Sequence, residues 1–174
     1  GEGIQPPPAE VLRALHDQRS APDGRSAALE SLKGHFKDWQ REGVEGLIAV
    51  TGDRGAGKGH LLEAAALLFA DSLDVQHLRP PEHHLRGPEG LAWLGRATGA
   101  GTKPDLDGMI AAVLSIPPTA WLVDDLHRLF LRQVGGFEAL QDVLVVMGQT
   151  ASHHLWVVTC HAPTWQYLSG VRLR

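Results

Sequence analysis

Apolar positions along the chain change period repeatedly, and the changes mark out its elements. In "SAALESLKGHFKDWQREG", Leu29, Leu32, Phe36 and Trp39 fall at helical spacing and Gly43 supplies a stop, so the spacing predicts a helix packed on one face. "LIAVTG" is short, apolar and partly β-branched, the pattern of a buried strand feeding a turn. "KGHLLEAAALLFADS" returns to a helix, and "DVQHL" offers a second strand with weak alternation. "GLAWLGRAT" and "DLDGMIAAVLSI" predict two more helices, the second closed by Pro117 and Pro118. "TAWLVDDL" is a strand pattern that stays apolar until two consecutive acids. "FEALQDVLVVMGQTA" predicts a helix, "HLWVVTC" a further strand and "PTWQYLSGV" a short helix. Strands and helices in alternation predict an α/β fold: a mostly parallel sheet with helices on both faces.

Ahead of this series, Pro6, Pro7 and Pro8 favour extended backbone, "AEVLRALHD" predicts a short helix, and "QRSAPDGRS" a polar turn. Residues 1–25 are therefore expected to form a leader and residues 26–174 the core.

The net charge of -4, from 20 acidic and 16 basic residues, gives no overall cationic field, so neither nucleic acid nor an anionic membrane surface is indicated. The longest apolar run, "LLEAAALLFA", contains Glu63 and is about half the roughly 20 residues a membrane helix needs. Cys160 stands alone and has no internal disulfide partner, which fits a reducing compartment; together these features predict a cytoplasmic protein. The first ten residues lack the basic and apolar regions of a signal peptide.

Chemistry concentrates in two places. Gly52, Asp53, Arg54, Gly55, Ala56, Gly57 and Lys58 fit the phosphate-binding pattern G-x-x-x-x-G-K (Walker A) between a predicted strand and a predicted helix. Glycines there let successive backbone N–H groups turn toward an anion. The helix start adds free N–H groups and a partial positive charge, and Lys58, facing solvent or ligand, reaches the terminal phosphates. Gly59 departs from the pattern, which expects a Ser or Thr hydroxyl for Mg²⁺. Water is the expected replacement ahead of His60, because imidazole suits that hard cation poorly. The second place is "WLVDD", a Walker B pattern. Asp124 is expected to orient Mg²⁺, and Asp125 to polarise the water that attacks the γ-phosphate.

"GDRGAGKG", "WLVDDLHRLF" and "HLWVVTCHAPTWQYL" together resemble the P-loop ATPases of the AAA+ and STAND branches, over about residues 26–171. The resemblance implies a three-layer P-loop fold that binds ATP or ADP with Mg²⁺ and serves as a regulatory or motor domain. It also implies that "HLWVVTC" inserts between the phosphate-loop strand and the acidic strand and carries a polar sensor, Thr159 or else His161. Relatives continue into a further strand and a helical lid that residues 167–174 are too few to build. The chain is thus expected to be truncated at its C-terminus, with "LIAVTG" near an open edge unless "VRLR" covers it, and to associate with itself or with a protein partner. Without the hydroxyl at Gly59, hydrolysis is expected to be slow. The alternative is a degenerate scaffold that keeps the fold for protein interaction alone; a small-molecule kinase or GTPase would need a second substrate pocket or a guanine-reading motif.

The remaining conspicuous residues read as structural. The pairs His83–His84 and His153–His154 are expected in solvated loops, since adjacency is a poor metal-ligand spacing. Trp121, Trp156 and Trp165 are expected to pack the sheet, and Arg128, Arg132, Arg172 and Arg174 to be solvated.

Overall fold

The computed structural model describes residues 13–15, 22–44, 46–52, 57–82, 85, 87–103, 105–129 and 136–161. The predicted short helix around "PTWQYL", Trp165, the brief strand "VRLR", His83–His84 and the loop residues Asp53, Arg54, Gly55 and Ala56 lie outside them.

Among the described residues five strands form one sheet: β1 (Arg13–Leu15), β2 (Leu47–Gly52), β3 (Asp74–Leu78), β4 (Thr119–Val123) and β5 (Leu155–His161), in spatial order β1-β2-β5-β4-β3. Every pairing is parallel. Helices α1 (Pro22–Glu42), α2 (Lys58–Phe69), α3 (Gly87–Thr98), α4 (Leu106–Leu114) and α5 (Gly136–Gln149) connect and cover the strands.

Strand side chains alternate between faces, so each central strand serves two cores. Ile48, Val50, Ala120, Leu122, Leu155 and Val157 pack with Leu32, Phe36 and Trp39 of α1 and with Leu61, Leu62, Ala65 and Phe69 of α2. Leu47, Ala49, Trp121, Val123, Trp156 and Val158 face the other way, toward Leu94 of α3, Met109 and Val113 of α4, and Leu140, Val143 and Leu144 of α5. Burial on both faces explains why β4 reads as a continuous apolar run. The α/β class and the parallel sheet between helical layers are therefore as the sequence predicts.

Two expectations about the N-terminal stretch need correction. Arg13–Leu15 is extended rather than helical and pairs with Ile48–Val50, so it lies along the β2 edge that the sequence left open. Helix α1 begins at Pro22, inside the segment expected to be a polar turn. Proline suits a first helical position, where its missing N–H has no intrahelical partner to lose.

The His153–His154 pair is also not a solvated loop. His154 is fully buried; its Nδ1 accepts from the Thr119 N–H at 3.1 Å, and its Nε2 lies 2.8 Å from the Val113 carbonyl. His153 Nε2 lies 2.7 Å from the Ile116 carbonyl. The pair pins the turn between α4 and β4, and burial lowers the His154 pKa, which favours the neutral ring these bonds require. Trp156 and Trp121 are both buried and stack with ring centres 5.5 Å apart.

Candidate functional site

Carboxyl ends of parallel strands form the natural crevice of an open α/β sheet. Here the start of α2 and the C-terminal ends of β3, β4 and β5 bring residues to one cavity of about 590 Å³, lined by residues that include Gly57, Lys58, Gly59, Asp124, Asp125 and His161. Residues far apart in sequence share this cavity because β5 inserts between β2 and β4.

Gly57 has φ 89°, a left-handed conformation that favours glycine, and it turns the chain directly into α2. Lys58 opens that helix. It is 9% exposed and lines the cavity, so it faces the site rather than bulk solvent. Gly57 at the N-cap makes no side-chain cap, and the start of α2, with its first N–H groups and the positive end of its dipole, borders the site. A Cβ built on Gly59 would meet nothing within 4 Å, so there is open space where a longer side chain would lie. His60 sits on the rim, largely exposed, 3.9 Å from Glu63.

The register that sets Val123 beside Val158 brings the next residues, Asp124 and Thr159, together. Thr159 is fully buried, and its hydroxyl donates to Asp124 Oδ1 while accepting the Asp125 N–H at 2.9 Å. The Asp124 N–H donates to the Leu78 carbonyl at 2.9 Å, which ties the acidic turn to the end of β3. Asp125 adopts φ 56°, the one positive value for a non-glycine among the described residues. Aspartate tolerates this region better than most residues, and the bond from its N–H to Thr159 holds it there.

The two acids differ in their surroundings. Arg79, just past β3, donates to Asp125 Oδ2 at 2.7 Å, and Arg128 Nε stands 3.5 Å from the same oxygen. Burial alone would raise the Asp125 pKa, but the Arg79 hydrogen bond and the charges of His127, Arg79 and Arg128 together hold it below the usual value. Arg128 also lies 3.7 Å from Glu82, so it belongs to the site wall and is not simply a solvated surface residue.

His127 and His161 complete the wall with ring centres 3.9 Å apart. The His161 N–H donates to His127 Nδ1 at 3.4 Å. Burial, then the nearby His161, Lys58 and Arg128, pushes His127 down to about 4 against the pull of Asp125. Cys160, buried beside the site, is pushed up to about 12 by burial and is not a reactive thiol.

Of the residues singled out from sequence, Gly57, Lys58, Gly59, His60, Asp124, Asp125 and His161 line one cavity, Thr159 braces its two acids, and Gly52 ends β2. Arg79 and His127 were missed. Arg79 follows a strand with little pattern of its own; His127 was within reach, three residues after Asp124 and next to Arg128. No protein-family model and no curated protein matches the chain. Among the described residues no helix is long and apolar enough to cross a membrane.

Proposed function

We propose that the chain is an ATP-binding module of the P-loop type, similar to the AAA+ and STAND ATPases, with slow Mg²⁺-dependent hydrolysis and a regulatory or motor role. The observation that carries this reading is the single cavity in which a glycine-led helix start with Lys58 faces Asp124 and Asp125. A cationic, N–H-rich wall opposite a carboxylate wall suits a phosphate chain and its cation.

The residues fit Mg²⁺ in a particular way. Among the described residues there is no group of three or more His, Cys, Asp or Glu side chains arranged to hold a metal. Mg²⁺, however, usually takes one or two carboxylates, with waters and substrate phosphates completing its shell. Asp124 supplies a carboxylate oriented by Thr159, and the open space at Gly59 leaves room for water. When bound, Mg²⁺ neutralises charge on the phosphate oxygens.

Lys58 and the α2 N-terminus bind and orient the phosphates. Asp125 is the candidate acceptor for the proton of an attacking water, but Arg79 occupies one of its oxygens and lowers its proton affinity. Slow hydrolysis follows from this pairing as well as from Gly59. The same ion pair also fits the second reading, a degenerate scaffold that keeps the fold for protein interaction alone.

Titration calorimetry with ATP and ADP, with and without Mg²⁺, tests the proposal. Binding that Lys58→Ala abolishes is expected, with circular dichroism to show that this variant folds despite the buried position. A saturating nucleotide, at 100 times its Kd, is expected to stabilise the protein by about 2.7 kcal/mol. No affinity for either nucleotide under any of these conditions rejects the reading.

A further inference from the structure

The paired imidazoles on the cavity wall have no part in the function proposed above, although they share that wall with Lys58. Two rings with centres 3.9 Å apart cannot both carry charge without strong repulsion, and His127 already has a backbone N–H directed at its Nδ1. The remaining ring nitrogen of His127 is then the protonated one in the neutral tautomer.

Charged groups approach this pair from several elements. Lys58 comes from α2, with His60 and Glu63 at the rim; Asp125 and Arg128 come from the segment after β4; Arg79, bonded to Asp125, comes from the end of β3. Helix α5 also packs on the turn Leu126–Leu129, but its Glu138 acts on Asp142, and neither acts on His127. Among the described residues Lys58, Arg79 and Arg128 line the cavity together with Glu63, Asp124 and Asp125, so its side-chain charges are close to balanced, and burial disfavours charge on His127. An entering phosphate chain tips that balance toward negative charge.

We propose that His127 and His161 are anion-contacting residues of this cavity, and that the pair takes up a proton when a phosphate group binds opposite Lys58. The inference rests on the nucleotide-binding reading and adds to it a pair of ligand-contacting residues and a proton. A shared proton also offers charge neutralisation where Gly59 offers no hydroxyl to a metal. The sign is fixed: the bound state holds more protons than the free state, so affinity rises as pH falls through the imidazole range. Uptake of one proton corresponds to a change of up to tenfold in Kd per pH unit.

The test is calorimetry of the 174-residue chain with ADP and with a non-hydrolysable ATP analogue, in buffers of different ionisation enthalpy, from pH 6 to 8. The terminal phosphate of each ligand titrates in the same range, so the informative quantity is the difference from His127→Asn/His161→Asn. The heat is expected to vary with the buffer and to report up to one more proton taken up by the natural chain than by the double variant. Imidazole NMR titrations of the natural chain provide the same readout without a variant: both rings, or the pair as a unit, are expected to titrate higher with ligand bound. Nucleotide that binds with no such difference, or with unshifted imidazole titrations, overturns the inference and leaves the binding site standing. Failure to bind nucleotide at any pH overturns both.

Discussion

Thr159 carries more than its size suggests. One hydroxyl orients Asp124 and accepts the N–H of Asp125 at a left-handed backbone position. Thr159→Val keeps the shape but leaves those groups without a partner, and is expected to lower stability by about 1–3 kcal/mol, read from the urea midpoint. Thr159→Ser, which keeps the hydroxyl, is expected to recover most of that loss. At Asp125 the direction is equally definite. Arg79→Ala removes the strongest lowering influence on its carboxyl, so carbon-detected NMR is expected to place the Asp125 titration higher, and any nucleotide hydrolysis is expected to speed up. The residues that supply this chemistry were legible to different degrees. Asp124 and Asp125 stood out because two acids ended an apolar run, whereas the importance of Arg79 depends on a pairing between strands whose register cannot be read from local pattern.

At the scale of elements, glycines distinguish tolerant from intolerant positions. Gly59 lies in the first turn of α2 with open space around it, so Gly59→Ala is expected to stabilise the protein by roughly 0.5–1 kcal/mol through helix propensity. Gly59→Thr is expected to fold as well and to raise the Mg²⁺ dependence of any hydrolysis. A Cβ at Gly46, by contrast, would overlap the Ala151 carbonyl, which already accepts the Trp39 indole N–H at 2.7 Å. Gly46→Ala is expected to destabilise by about 1–3 kcal/mol or more, measured in the same denaturant series. Most element types were readable because the central strands are apolar on both faces and the helices have a clear period. Arg13–Leu15 was not, since "VLRAL" suits a helix or a strand equally and pairing with β2 decides the outcome. His154 misled for the opposite reason, because a polar side chain fixed by backbone partners from a distant turn has no sequence signature.

For the molecule as a whole, acid sensitivity follows from His127. Its pKa falls from 6.5 to about 4 on folding, so between those values the unfolded chain binds more protons and stability declines as pH is lowered. Without nucleotide, the urea midpoint is expected to drop between pH 7 and pH 5 by an equivalent of about 1–2 kcal/mol, allowing for partial solvent screening, and His127→Asn is expected to flatten the profile. A different consequence concerns the making of the molecule. Strand β5 is the last strand of the described residues in chain order, yet it occupies the middle of the sheet and separates β2 from β4. While the chain is being synthesised, β2 and the β3–β4 pair have to wait as two unjoined halves, each with an apolar edge meant for β5. That interval is when a nascent chain is most exposed to mispairing and most dependent on chaperones. Ribosome-bound chains stalled with residue 150 outside the exit tunnel are accordingly expected to be protease-sensitive throughout, with protection of β2 and β4 arising together once residue 161 has emerged.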